Sequence, residues 1–172
     1  MSGDPVERVA ADVVHGLVAR GLTVAVAESL TGGLVASALI EVPGASRTVR
    51  GAIVAYATPL KHDLLGVDAA LLGEHGPIHP DVALMMAAGV RERCGADIGI
   101  ATTGVAGPDS QDGHLPGEVY VAVVMAGRTE VRGLQIEGDR ARVRGRSVVA
   151  ALELVIETVG LSNRQTPQHP PG

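Results

Sequence analysis

The sequence predicts an α/β fold: a three-layer α/β/α sandwich around a mixed, mostly parallel sheet. Two observations carry this expectation. Amphipathic helical stretches alternate with short apolar runs of strand character through the first two thirds of the chain, the pattern of strands joined by helical crossovers. Near the end, two strand-like runs are separated only by Ala126-Gly127-Arg128-Thr129, a hairpin signal that adds antiparallel strands to the same sheet. With 172 residues, 46% of them hydrophobic, the chain is long enough to bury a core of its own. We assign residues 4–160 to a single domain and 161–172 to a disordered tail, because Ser162 to Gly172 is rich in Pro and Gln and poor in apolar residues.

Taken in order, Asp4-Pro5 reads as an N-cap followed by a first-turn proline. Val6, Val9, Ala10, Val13, Val14, Leu17 and Val18 then keep helical spacing up to Gly21. Leu22 to Ala27 is the first strand. Gly32 to Glu41 is a small-residue helix closed by Val42-Pro43-Gly44, and Arg50 to Tyr56 is the next strand. Thr58-Pro59 repeats the cap-and-proline device and opens a helix through Lys61 to Leu65. A further helix covers Pro80 to Cys94, after the loop Gly76-Pro77-Ile78-His79. Asp97 to Thr103 is continuously apolar, as a strand covered on both faces should be. The segment from Gly104 to Gly117 is a glycine-rich surface loop with access to the sheet edge. Strands at Glu118 to Met125 and Glu130 to Ile136 follow. The last helix starts near Asp139 and repeats Val148, Leu152, Val155 and Val159 on one face.

Composition excludes several function classes. The aromatic residues are Tyr56 and Tyr120 alone, so base stacking on single-stranded nucleic acid has almost nothing to work with. A net charge of −5 disfavours a general phosphate-backbone binder. The lone Cys94 cannot form an intrachain disulfide and reads as structural. The longest apolar run, Val119 to Gly127, is too short to span a bilayer, and the first residues show no secretion signal. The expectation is a cytoplasmic protein with neither membrane nor nucleic-acid partners.

Three strand exits collect polar residues: Glu28-Ser29-Thr31, Tyr56 with Lys61, and Thr102-Thr103. Parallel neighbouring strands would bring them to one carboxyl edge, where open α/β sheets bind ligands. Ser29 is the candidate nucleophile, and Gly32 and Gly33 with Thr31 offer amides for an oxyanion. A serine hydroxyl needs an adjacent base. No histidine stands at a matching strand exit, which leaves Lys61, working as a neutral amine, as the candidate base. Tyr56 is placed to relay a proton or orient Ser29. Thr103, Gly104 and Gly107 belong to a loop able to wrap a ligand with backbone amides, although it matches no nucleotide-binding fingerprint. Arg140 and Arg144, spaced i and i+4, share a helix face and are candidates for gripping a phosphate. No His, Cys, Asp or Glu spacing suggests a metal site, and no cofactor is implied.

These motifs together resemble the CinA carboxy-terminal domain family. The resemblance rests on Ala27-Glu28-Ser29-Leu30-Thr31-Gly32-Gly33, Gly51, Tyr56 and Lys61 with Leu65-Gly66-Val67, Thr103 to Pro108, Pro116 to Tyr120, and Gly138-Asp139-Arg140 with Arg144. It runs from about Val6 to Val159. The family includes stand-alone nicotinamide-nucleotide amidohydrolases. The resemblance therefore implies hydrolysis of the carboxamide of nicotinamide mononucleotide to nicotinic acid mononucleotide and ammonia, within pyridine nucleotide salvage. It implies Ser29 as nucleophile, Lys61 as base, Tyr56 as an assisting group, Thr103 in the site and the late arginines at phosphate. It also implies a homodimer or higher homo-oligomer. The alternative is a non-catalytic nucleotide-binding or interaction module of the competence and damage-inducible type. Two places depart from the family pattern: Thr58-Pro59 stands where an Asn is common, and His79 where a Ser is common.

Overall fold

The computed structural model describes residues 4–161 and builds them around one five-stranded sheet of order β2-β1-β3-β4-β5. The strands are β1 (Val24–Glu28), β2 (Val49–Val54), β3 (Ile98–Gly104), β4 (Glu118–Met125) and β5 (Arg128–Gln135). The helices are α1 (Pro5–Arg20), α2 (Leu34–Ile40), α3 (Thr58–Leu65), α4 (Ala69–His75), α5 (Pro80–Cys94) and α6 (Arg140–Val159), with a 3₁₀ turn at Ala45–Arg47. β1 runs parallel to both neighbours, so Ala27 pairs with Ile53 on one side and Ala101 on the other. β4 and β5 add antiparallel to the edge of β3. The chain leaves β1 for β2 on one side and later crosses to β3 on the other, which makes the β1–β3 boundary a topological switch point. The expected three layers and mixed sheet are present.

Alternation along β1 and β3 divides the core into two layers. Val24, Val26, Ile98 and Ile100 enter the layer formed with α1, α2 and α6, while Ala25, Ala27 and Ala101 enter the one formed with α5. The second layer is lined by small residues, so α5 sits very close to its neighbours. A Cβ built at Gly99 would lie 1.9 Å from the Ala87 carbonyl oxygen, and one at Gly89 would lie 1.8 Å from that of Leu65. No Cβ fits at such distances, and glycine is required at both positions. The Gly89 contact seats the C-terminal end of α3 directly on α5, and thereby fixes the helix that carries Lys61.

Local signals behave as expected at most helix starts. Asp4 accepts the Val6 N–H, and Asp139 accepts the Arg142 N–H. His79 fills the N-cap of α5, its Nδ1 accepting the Asp81 N–H at 3.2 Å, so the departure from a serine retains a capping side chain. Four departures from the expected elements follow. Thr58 is the first residue of α3 rather than its cap, since the N-cap is Ala57 with no side-chain bond. α2 begins at Leu34, because Gly32 and Gly33 both have positive φ and are not helical. α4 went unpredicted: it buries no residue and so leaves no apolar stripe, although Asp68 caps it through the Ala70 N–H. Leu161, assigned to the tail, is buried against α1 beside Gly16. The remainder of the tail assignment, 162–172, lies outside the described residues. Among those residues no helix is long and apolar enough to cross a membrane.

The tight α3–α5 contact makes a paired prediction. Gly89→Ala should destabilise the fold by about 1–3 kcal/mol through overpacking. Gly73→Ala, on an exposed helix with nothing within 4 Å of the added methyl, should be neutral or stabilising. Thermal melts of the two variants check this, and equal melting temperatures would show that α3 does not rest on Gly89.

Candidate active site

Ser29 is the first residue beyond β1, and its N–H donates to the Thr102 carbonyl at 3.1 Å, anchoring the strand exit to β3. Glu28 before it is fully buried. Its carboxylate accepts the N–H groups of Gly33 at 3.0 Å, Val35 at 3.1 Å and Ala36 at 2.9 Å. Glu28 is therefore the cap of α2, a negative charge set on the helix N-terminus that Gly33 cannot cap itself. The expected role of Glu28 in substrate binding is corrected accordingly. Thr31 is likewise internal: its hydroxyl pairs with that of Thr102 at 2.7 Å, and both residues are fully buried.

The oxyanion expectation also changes. The Gly32 amide donates to the Ser29 carbonyl and the Gly33 amide to Glu28, so neither is free for substrate. The amides of Leu30 and Thr31 have no protein acceptor among the described residues; Leu30 lines the cavity beside Ser29 whereas fully buried Thr31 does not, so the Leu30 amide is the donor left for substrate.

Lys61, the single lysine of the chain, is 1% exposed on α3. Its Nζ lies 3.1 Å from Ser29 Oγ, 2.8 Å from the Ala55 carbonyl oxygen and 3.4 Å from that of Tyr56. Among the described residues it has no carboxylate partner. Burial pushes its pKa from the ordinary 10.5 down to about 8. A neutral amine has two N–H donors and one lone pair. The two carbonyls take the donors, which leaves the lone pair for the Ser29 hydroxyl proton. Charged, the ammonium can donate to all three oxygens. This arrangement gives a base that stays in place in both protonation states.

The pair opens into a cavity of about 330 Å³ at the carboxyl edge of β1 and β3. Tyr56, Thr103, Gly104, Gly107 and Arg140 line it as expected, together with Pro77, Asp109 and Gln111, which the sequence reading did not single out. Thr103 directs its hydroxyl to the Pro77 carbonyl at 2.7 Å and so fixes the cavity wall. Gly104 packs against β4, where a Cβ would lie 2.5 Å from the Glu118 carbonyl oxygen. Arg140 donates through Nη1 to the Gly107 carbonyl at 2.9 Å and through Nη2 to the Tyr56 hydroxyl at 3.4 Å. Tyr56 is 63% exposed, and its hydroxyl is engaged by Arg140 rather than Ser29; it is the Tyr56 backbone that meets Lys61. Arg144 is absent from the cavity lining. Its Nε and Nη2 donate to the carbonyls of Leu30 and Thr31, both at 2.9 Å, which corrects its expected place at a phosphate. Among the described residues no group of three or more His, Cys, Asp or Glu could hold a metal ion.

Comparison with known proteins gives a consistent result. The CinA C-terminal domain model matches residues 6–159. A CinA-like protein of Frankia casuarinae is 48% identical over 155 residues, covering 89% of this chain and 36% of that protein. A putative competence-damage inducible protein of Bacillus velezensis is 40% identical over 137 residues, covering 80% and 33%. The chain thus spans about a third of the length of these curated relatives. The crystal structure of competence/damage inducible protein CihA from Agrobacterium tumefaciens superposes with a TM-score of 0.88 at 33% identity, covering 92% of this chain and 99% of that one. That of a CinA superfamily protein from Escherichia coli gives 0.86 at 29% identity, covering 91% and 93%. The chain belongs to the CinA C-terminal domain family.

Proposed function

We propose that this domain is a cytoplasmic amidohydrolase that deamidates nicotinamide mononucleotide through a Ser29–Lys61 covalent mechanism. The observation that carries the reading is the buried Lys61 amine, 3.1 Å from Ser29 and lacking an acidic partner among the described residues. A binding module has no use for a desolvated lysine beside a serine at the mouth of a cavity, whereas an acyl-transfer site needs both.

In the proposed reaction, Ser29 Oγ attacks the carboxamide carbon while its proton passes to Lys61 Nζ. The oxygen of the tetrahedral intermediate accepts from the free amide of cavity-lining Leu30. The Lys61 ammonium returns the proton to the leaving nitrogen as the C–N bond breaks, and ammonia departs. Water, deprotonated by the same amine, then attacks the acyl-enzyme; as the ester bond to Ser29 breaks, the Lys61 ammonium returns that proton to Ser29 Oγ, and the acid is released with both groups restored. Arg140, at the exposed rim with its guanidinium on Gly107 and Tyr56, supplies a cation for the phosphate.

Ser29→Ala should lower the rate of ammonia release from nicotinamide mononucleotide by several orders of magnitude while retaining binding. Lys61→Arg keeps the charge but provides no neutral amine near neutral pH, so it should be nearly as inactive. Because the neutral form is the active one, kcat/KM should rise with pH through a midpoint near 8, the value that burial sets for Lys61. A Lys61→Arg enzyme with substantial kcat would remove Lys61 as the base.

Arg140→Gln tests the phosphate separately. Its KM for the mononucleotide should rise about ten- to a hundredfold, the value of one charge-assisted contact, with little change for nicotinamide riboside. Equal effects on the two substrates would take Arg140 out of phosphate recognition.

A further inference from the structure

Arg144 is half-buried on the first turns of α6, and two of its guanidinium nitrogens are spent on main-chain oxygens of the turn that follows Ser29. Nε meets the Leu30 carbonyl and Nη2 the Thr31 carbonyl, each at 2.9 Å, a two-point grip on consecutive peptides by one planar fork. The guanidinium also packs tightly on the turn: a Cβ at Gly32 would come within 3.3 Å of Nη2.

The orientation of these peptides has a chemical consequence. In a trans peptide the N–H points opposite to the C=O. Fixing the Thr31 carbonyl on Arg144 turns the Gly32 N–H the other way, where it donates to the Ser29 carbonyl at 3.1 Å and closes the turn. Fixing the Leu30 carbonyl on Arg144 in the same way turns the Thr31 N–H away from α6. The Gly32 bond in turn fixes the Ser29 carbonyl and so sets the Leu30 N–H, at the other end of that peptide, on the opposite side; this amide finds no protein acceptor among the described residues, and Leu30 lines the cavity. A buried unpaired donor is costly, and it is retained where an acceptor is to arrive. Each hydrogen bond in this chain, from Arg144 through the Thr31–Gly32 peptide to the Ser29 carbonyl, polarises the next, which strengthens the Leu30 N–H as a donor.

We infer that Arg144 is a positioning residue that sets and polarises the oxyanion-binding amide beside Ser29 from helix α6. It touches no reacting atom; it acts through the turn from Ser29 to Gly32. The inference rests on the amide-hydrolysis reading and adds to it a second arginine whose task differs from that of Arg140. Arg140 faces the cavity and would govern substrate affinity, whereas Arg144 holds the backbone and would govern the chemical step.

The test compares wild type, Arg144→Gln and Arg144→Lys in two assays: steady-state deamidation of nicotinamide mononucleotide, and pre-steady-state acylation of Ser29 by p-nitrophenyl acetate, with Ser29→Ala as blank. The activated ester forms an oxyanion but needs no proton for its leaving group, so it isolates the step assigned to the turn. Arg144→Gln should slow both kcat and acylation by about ten- to a hundredfold, below the 10²–10³ expected for direct loss of an oxyanion donor. KM should stay within about threefold and the pH midpoint should not move, since Lys61 is untouched. Arg144→Lys, with one nitrogen for two carbonyls, should recover part of the loss; it also serves if the Gln variant fails to fold. Wild-type kcat and acylation rates in the variants, or a loss confined to KM, would overturn the assignment. If wild type acylates but does not deamidate the mononucleotide, the substrate reading fails and the acylation rates still judge Arg144. If wild-type Ser29 does not acylate at all, both readings fall.

Discussion

Lys61 carries its amine into a protein interior that supplies three oxygens and, among the described residues, no acid. Holding the amine there costs stability. A pKa lowered from 10.5 to about 8 corresponds to a penalty on the order of 3 kcal/mol for the charged form. The unfolded chain binds more protons than the folded one between those two values. The penalty is therefore fully present below about pH 8 and is lifted as pH rises toward 10.5. The fold accepts that cost and arranges its neighbours around it. Two main-chain carbonyls at the end of β2 hold the amine, and the Gly89–Leu65 contact holds the helix that carries it.

The nucleophile side is built with the same economy of motion. Ser29 sits on a turn tied down in three directions: by its own N–H on β3, by Glu28 on the N-terminus of α2, and by Arg144 on α6. The buried Thr31–Thr102 hydroxyl pair joins the turn to the central strand. Each of the three ties spends a charged or polar group on the backbone, which leaves the serine hydroxyl to Lys61 and the Leu30 amide, without an acceptor among the described residues, to the cavity. Rigidity of this kind is what an acyl-transfer site needs, because oxyanion stabilisation depends on donors already in place.

Much of this was legible from residue types and spacing. Ser29, Lys61 and Thr103 converge because β1, β2 and β3 are parallel neighbours, and that follows from the alternation of strand and helix. The misreadings share one physical origin: a charged or polar side chain near a site can serve the backbone instead of a ligand. Glu28 looked like a substrate contact and proved to be a helix cap reached from the preceding strand. Arg144 looked like a phosphate grip because it shares a face with Arg140, yet one helical turn was enough to take it from the cavity to the turn beneath. The Ala55 and Tyr56 carbonyls that hold Lys61 carry no side-chain signal and are invisible in sequence. One signal was present and unused. The chain uses arginine for every cation but one, and that single lysine is the buried one. Arginine does not give up its proton near neutral pH, so a lone lysine among arginines marks the position where proton transfer is required.

That same singularity permits a direct measurement. Incorporation of [ε-¹³C]lysine places one side-chain label in the whole protein, and its chemical shift can be followed against pH without assignment. Burial of the amine beside Ser29 predicts a single titration with a midpoint near 8. A label that titrates near 10.5 would show Lys61 to be an ordinary cation and would contradict its role as the base.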